Sequence, residues 1–410
     1  MVNIALMGHG FIGSGVVEVL TKNHDHIAAK AKEEINIKYI LDIRDFSDLP
    51  YSDKFIKDFS IIENDDSVKI VVEVMGGTEP AYSFVKACLL KGKSVVTSNK
   101  ELVAAKGAEL LKIAEENNVN FLFEGSVGGG IPILRPIAQC LAANDILEIV
   151  GILNGTTNFI LTKMTNDGME FEEALELAQH LGYAERDPSA DVDGHDACRK
   201  ICILASIAFG KHVYPKQVKT EGIRKITLED FAYALSAGYT VKLLGRTKLL
   251  DSGKVIATVG PCFVDHTSPL ANVNDVFNSV LVRGDAIGDV SFYGRGAGKL
   301  PTASAVVADV IDCVKHLSAR KYLFWAEGSE DYVQSADGEA VKMYVRLTSS
   351  NKLMGQIIAE KFQGAEMLTR EGQPEDEFAF ITPKLKKYII EDTLADMKDI
   401  TIIGKMHILE

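Results

Sequence analysis

Charged side chains crowd the stretch from Leu181 to Ala205: Glu185, Asp187, Asp191, Asp193, Asp196, Arg199 and Lys200. Asp196 and Lys200 stand four residues apart, after Gly194 and before the apolar period of Ile201, Ile203, Leu204 and Ile207. On a helix that spacing brings a carboxylate and an ammonium to one face. At the mouth of a buried helix such a lysine is a competent donor to an oxygen that develops negative charge. An exposed ion pair on an ordinary capped helix satisfies the same spacing, so the surroundings have to decide. Gly182, Pro188 and Gly194 mark the first half as loop. Asp193 is the expected N-cap, with Asp196 in the first helical turn.

The elements that must position this pair begin at the N-terminus. VNIALMG reads as a strand and leads into Gly8-His9-Gly10-Phe11-Ile12-Gly13, after which Val16, Val17, Val19 and Leu20 recur at helical spacing. Strand, glycine turn, then helix is the setting of a dinucleotide fingerprint. Gly8 allows the tight turn, Gly10 the approach of a pyrophosphate, and Gly13 close helix–strand packing, with the anion on the helix N-terminus. INIKYILDIRD is the next apolar strand. At its end Asp42 would accept from a ribose 2′-hydroxyl and favour NAD, whereas Arg44 would pair with a 2′-phosphate and favour NADP. KIVVEVMGGTEP repeats the strand-then-turn pattern, and SVVTSNK reads as another apolar strand that ends at Lys100. Ligands of open parallel sheets gather at the carboxyl ends of strands, which makes Gly77, Thr78, Ser98 and Lys100 candidates to line the cofactor crevice. NFLFEGSVGGGIPIL supplies one more strand and the turn Gly128-Gly129-Gly130.

From about Arg135 the texture changes. In ILEIVGILNGTTNFIL, Asn154, Thr156 and Thr157 either hydrogen-bond a small polar substrate or cap the helix that follows. Long apolar β-segments after Ser206 predict a mixed sheet whose face pairs with another subunit. GRGAGKLPTASAVVADVID reads as a glycine loop entering an apolar helix. Residues 320–340 are polar and acidic and read as a linker. The remainder follows a βαββαβ order, the ferredoxin-like pattern. The expected fold is thus α/β. A Rossmann-type parallel sheet spans 1–130, completed by a helix near 300–318. An α+β catalytic and dimerisation domain spans 131–319, and a ferredoxin-like domain spans 341–410. On this division the catalytic part is complete without 341–410.

Composition narrows the function classes. A net charge of −13 without a basic block argues against nucleic acid or an anionic membrane as partner. The cysteines Cys88, Cys140, Cys198, Cys202, Cys262 and Cys313 form no CxxC pair, which fits reduced thiols in the cytoplasm. His195, Cys198 and Cys202 fall at helical spacing but lack a fourth zinc ligand nearby. No secretory signal and no bilayer-length apolar run is evident.

The central stretch is similar to "LGYAExDPxxDVxGxDxxRK", the signature of homoserine dehydrogenases, and further blocks resemble that family as far as about Asp312. The resemblance implies NAD- or NADP-dependent interconversion of aspartate 4-semialdehyde and homoserine, in a homodimer or homotetramer. It also implies roles for particular residues. Glu185 and Asp196 bind the substrate, with Asn154 and Thr156 beside them from "GILNGTxNxIL". Lys200 donates the proton, supported by Asp191. Lys100, from "TxNK", lies at the nicotinamide and substrate. The family's "RD" falls on Arg44-Asp45 and leans towards NADP. Its "EAxVGGGIP" maps a monovalent cation, sodium, to carbonyls of Glu124, Val127, Gly129 and Ile131. Gly296 comes near the cofactor. The tail looks like an ACT domain, although SSNKLMG keeps Gly355 where the family has an acidic-Pro-Gly turn. A structural or dimerising role therefore stands beside effector binding. Two other functions fit the same residues: another Rossmann oxidoreductase acting on an amino-acid-derived semialdehyde, and a non-catalytic dinucleotide sensor. A sensor has no use for Glu185, Asp196 and Lys200 together.

Overall fold

A computed structural model describes residues 1–319 and 323–410; the start of the expected linker, 320–322, lies outside the described residues. The chain forms two compact units, each assembled from three stretches. One comprises Met1–Leu147, Cys202–Gln217 and Arg283–Glu330, the other Glu148–Ile201, Val218–Val282 and Asp331–Glu410.

The first unit holds strands β1 (Val2–Met7), β2 (Ile35–Leu41), β3 (Phe55–Ile56), β4 (Val68–Glu73), β5 (Ser94–Thr97) and β6 (Phe121–Leu122). They lie in the order β3-β2-β1-β4-β5-β6, and every neighbouring pair is parallel. That is the order of dinucleotide-binding sheets, with a crevice where it reverses between β1 and β4. A parallel sheet is covered on both faces, which explains the near-continuous apolar strands. Ile4, Leu6, Ile70, Val72 and Val96 share one core with Val16 and Leu20 of the helix Phe11–Lys22. Val306, Val310 and Cys313 of the helix Lys299–Lys315 enter the same core. Each such aliphatic side chain contributes roughly 1.5–3 kcal/mol when fully buried.

In the second unit the strands run Phe277–Gly284, Ile146–Ile152, Tyr239–Leu249, Val255–Asp265, Thr401–Leu409, Met343–Thr348, Glu377–Ile381, Glu366–Leu368. The last four are the tail. Numbered along the chain, they lie in the order 4-1-3-2 and pair antiparallel, the ferredoxin-like arrangement. Helices Met354–Lys361 and Lys387–Ala395 close one face around Val345, Leu347, Ile358, Phe380 and Ile390.

The tail is not hung on a free linker. Its last strand pairs in parallel with Val255–Asp265, through Cys262 with His407, Phe263 with Ile408 and Val264 with Leu409. Within the stretch expected to be a linker, Trp325 is 1% exposed and Tyr332 4%. Trp325 Nε1–H donates to His212 Nδ1 at 2.9 Å. Gln334 N–H donates to the Val255 carbonyl at 2.8 Å, and Val255 N–H to the Tyr332 carbonyl at 3.1 Å. Polar average composition concealed these aromatic anchors. The other face of the tail sheet receives the helix Leu228–Ser236 over a buried ionic cluster of Asp230, Arg346 and Glu377.

Candidate active site

The glycine loop follows β1. Gly8 has φ +96°, and a Cβ there would meet Met75 at 3.1 Å. A Cβ at Gly13 would lie 2.0 Å from the Gly8 carbonyl oxygen, so only glycine lets this helix sit so close to the loop. Gly10 differs, because the nearest atom to a Cβ there is Arg44 Nη2 at 3.9 Å. The helix Phe11–Lys22 has no side-chain cap and no acid in its first turn. Its N–H groups and dipole are thereby left to an anion in the open space beside Gly10, and a dinucleotide pyrophosphate fits that description. Phe11 is 68% exposed at the helix start and Ile12 is half-buried.

Arg44 binds Asp42 through two contacts, Nε to Oδ1 at 3.0 Å and Nη2 to Oδ2 at 2.7 Å. Backbone N–H groups of His9 and Arg44 also donate to that carboxylate, at 2.8 and 3.0 Å. The Arg44 side chain, helped by these N–H donors, holds Asp42 far below the usual carboxylate range despite its burial. Asp42, the feature that favours NAD, is thus engaged internally. The Arg44 side chain stays 56% exposed, with its guanidinium 5.1 Å from the Phe46 ring centre.

At the ends of β4 and β5 the structure brings together two turns. Gly76 and Gly77 have φ +83° and +70°. Lys100 is not the end of a strand, as the sequence suggested, but the first residue of the helix Lys100–Glu116. Asn99 caps it by accepting from Leu102 N–H at 3.1 Å, and its amide donates to the Gly77 carbonyl at 2.6 Å. Sequence reasoning missed Glu73 here. Its carboxylate is 0% exposed and accepts from Thr97 Oγ1 at 2.6 Å and Met75 N–H at 2.7 Å. The signal was an acid inside the otherwise apolar run IVVEV.

The turn after β6 is crowded by backbone. A Cβ at Gly128 would sit 2.3 Å from the Ile131 carbonyl oxygen, and one at Gly129 2.4 Å from the Gly296 carbonyl oxygen. The Glu124 side chain accepts from N–H groups of Ile133, Leu134 and Arg135 at 2.6, 2.9 and 2.8 Å. Its carboxylate is therefore committed to the backbone, and a cation here depends on carbonyl oxygens. Among the described residues, no cluster of His, Cys, Asp and Glu side chains fits a metal ion.

In the second unit the structure brings Asp191, Asp196 and Lys200 together around Asn154. Lys200 Nζ lies 2.8 Å from Asp196 Oδ2, with the two side chains 8% and 4% exposed. The ammonium also donates to the Leu153 carbonyl at 2.7 Å. Asn154 Nδ2 reaches Asp191 Oδ1 at 2.7 Å and Asp196 Oδ2 at 2.9 Å, while its Oδ1 caps the helix Gly155–Asp167 by accepting from Thr157 N–H at 2.8 Å. Of the two roles the sequence left open, Asn154 takes the cap, and its amide also joins Asp191 to Asp196. Thr156 Oγ1 donates to the Tyr183 carbonyl at 2.6 Å and fixes the loop entry.

One expectation changes. Asp193 is not the N-cap: Cys198 N–H donates to the Gly194 carbonyl, and the Asp193 carboxylate is taken by Arg224. With φ +83°, Gly194 makes the corner itself. Glu185 stands exposed on the loop, outside the hydrogen-bonded cluster of Asn154, Asp191, Asp196 and Lys200. The Leu153 carbonyl is a partner that residue-type reasoning cannot find, since any residue supplies one.

Comparison with known proteins adds lineage to this geometry. Residues 132–311 match the homoserine dehydrogenase family profile, and residues 8–124 match the profile for the homoserine dehydrogenase NAD binding domain. A homoserine dehydrogenase from a Synechocystis species is 46% identical over 320 residues, 76% of this chain and 73% of that one. The crystal structure of a homoserine dehydrogenase from Thiobacillus denitrificans superposes with a TM-score of 0.92 at 31% identity, covering 100% of this chain and 98% of that one. A hyperthermophilic archaeal homoserine dehydrogenase mutant in complex with NADPH matches with a TM-score of 0.63 at 29% identity, over 76% of this chain and 97% of that one.

Proposed function

The chain belongs to the homoserine dehydrogenase family and is an NAD(P)-dependent oxidoreductase interconverting L-aspartate 4-semialdehyde and L-homoserine; on that premise we propose which of its residues do the work. The nicotinamide cofactor, when bound, supplies or accepts the hydride. Gly8, Gly10, Phe11, Ile12 and Gly13 hold its pyrophosphate end, and Gly77, Thr78, Ser98, Lys100 and Gly296 line the rest of the crevice. Support comes from the uncapped helix N-terminus and the open space at Gly10. Exposed Arg44 beside that space, with Asp42 already engaged, favours NADP over NAD.

Lys200 is the proton donor in the reducing direction. As the carbonyl oxygen gains charge, Nζ gives it a proton and becomes a neutral amine; in the oxidising direction that amine takes the hydroxyl proton back. Asp196 and the Leu153 carbonyl aim the ammonium, and Asn154 ties Asp196 to Asp191; Lys100 is given its role, a second positive charge for the substrate oxygen, by the family resemblance alone. Glu185, Asp196, Asn154 and Thr156 bind the amino-acid part of the substrate. The observation that carries this reading is one lysine held by a carboxylate and a carbonyl, with its side chain 8% exposed.

A sodium ion would be held by the carbonyls of Glu124, Val127, Gly129 and Ile131; the support is a glycine turn that lets the Ile131 carbonyl fold over Gly128. The enzyme acts in the cytoplasm as a homodimer or homotetramer, and its tail is an ACT-like structural or regulatory module. No helix among the described residues is long and apolar enough to cross a membrane.

Homoserine-dependent reduction of NAD and NADP, followed side by side at the nicotinamide absorbance, tests the reading. Faster turnover per KM with NADP is expected. A preference for NAD would remove Arg44 from cofactor selection, and no reduction of either would sink the assignment of residues.

A further inference from the structure

The carboxylate of Glu73 lies under the two strand-end turns that the proposed mechanism assigns to the nicotinamide end of the cofactor. It is 0% exposed in a sheet core where an apolar side chain would cost less. Its partners explain its presence. Oε2 accepts from Thr97 Oγ1 at 2.6 Å, and Oε1 from Met75 N–H at 2.7 Å. The Gly76 N–H and the Asn99 side chain also face it and, with those donors, oppose the upward push of burial on its pKa. Thr97 Oγ1 in turn accepts from Asn99 N–H at 2.9 Å, and the Asn99 amide holds the Gly77 carbonyl at 2.6 Å. One buried acceptor therefore collects donors from two segments, 75–76 and 97–99, and each leads into proposed cofactor contacts: Gly77 and Thr78 on one side, Lys100 on the other. An amide keeps one acceptor oxygen, so its N–H groups would face either the Met75 N–H or the Thr97 hydroxyl, which would then have to turn its own proton away.

We propose that Glu73 is a positioning residue for the reaction, setting the spacing between the Gly77–Thr78 turn and the helix start that bears Lys100. It touches neither substrate nor cofactor. The inference rests on the reading of this crevice as the cofactor site, and its test separates the two.

Glu73→Gln and Thr97→Val each break the clamp without opening a large cavity, while Thr97→Ser keeps the hydroxyl. Binding is followed with reduced dinucleotide by nicotinamide fluorescence, and with 2′-phospho-ADP, which carries only the adenosine end. Glu73→Gln and Thr97→Val should each weaken dinucleotide binding roughly tenfold and lower kcat by a similar factor, the worth of one charge-assisted hydrogen bond. Affinity for 2′-phospho-ADP should stay within about twofold, and Thr97→Ser should behave as wild type. Equal loss for dinucleotide and fragment, or no loss for either, would overturn the positioning role. Gly10→Val tests the crevice independently. It should abolish binding of both ligands while the fold survives, and unchanged affinity in that variant would overturn the cofactor reading together with the inference built on it.

Discussion

Two buried ion pairs in the second unit use the same elementary attraction for opposite ends. Lys200 meets Asp196 at 2.8 Å with side chains 8% and 4% exposed; Arg346 meets Glu377 at 2.6 Å with side chains 7% and 4% exposed. The first is built around an ammonium, which surrenders a proton once its surroundings favour the neutral amine. The second is built around a guanidinium, which does not. Glu377 is also saturated: Arg346 Nε and Nη2 bind Oε2, and Tyr233 Oη, Arg370 Nε and Arg370 Nη2 bind Oε1. Asp230 accepts from Tyr344 Oη at 2.9 Å on the same face. Burial and ion pairing alone therefore do not mark a catalytic site. The identity of the cation separates the proposed proton-transfer cluster from a clamp between a helix and a sheet.

The sharpest way to break this contrast is to exchange the cation at the first site. Lys200→Arg keeps the positive charge but removes the transferable proton, so turnover should fall roughly 10²–10⁴-fold, the usual worth of a positioned acid or base. Lys200→Ala should lose as much turnover and some stability besides, since it leaves Asp196 without its ammonium. Turnover of the Lys200→Arg enzyme within a few-fold of wild type would show that charge alone suffices there.

At the second site the loss should appear in stability. Arg346→Ala leaves Glu377 and Asp230 buried with fewer donors and should cost about 3–5 kcal/mol in urea unfolding, with kcat of the folded fraction little changed. A chain ending at Gly338 should fail to fold, because the strand Val255–Asp265 loses its parallel neighbour Thr401–Leu409. A stable, active truncated chain would show the tail to be separable after all.

A third cluster lies between these extremes. Asp309 accepts from Glu124 N–H at 2.8 Å and meets Arg135 at 2.5 Å, yet burial, reinforced by the Glu124 charge, pushes its pKa up to about 7 against the pull of Arg135. The folded chain then binds this proton more tightly than the unfolded chain, whose aspartate titrates at about 4. Stability should fall as pH rises from about 4 to about 7 and level off above, by on the order of a few kcal/mol. Asp309→Asn should flatten that part of the profile when urea midpoints at about pH 5 and about pH 8 are compared. An unchanged slope would mean that Asp309 is ionised throughout.

Much of the architecture was legible because it rests on near neighbours. Glycine turns between a strand and a helix, the four-residue step from Asp196 to Lys200 and the βαββαβ order of the tail all follow from periodicity and local sterics, which a short window of residues contains. Other features depend on partners that only the folded chain supplies. Asn154 meets Asp191 across 37 positions, and Tyr233 reaches Glu377 across 144. Asp193 has a capping residue's chemistry, but Arg224 claims it and Gly194 takes the corner. Glu73 reads as an interruption in an apolar strand until the donors of two turns converge on it. The tail reads as a detachable domain until its last strand pairs with Val255–Asp265 of the second unit's sheet. A buried polar group is tolerable only where all its partners arrive together, and a strand edge only where something covers it. Those conditions belong to the whole fold, so tertiary structure alone decided which charges were gathered into a buried cluster, paired at the surface or built into a clamp.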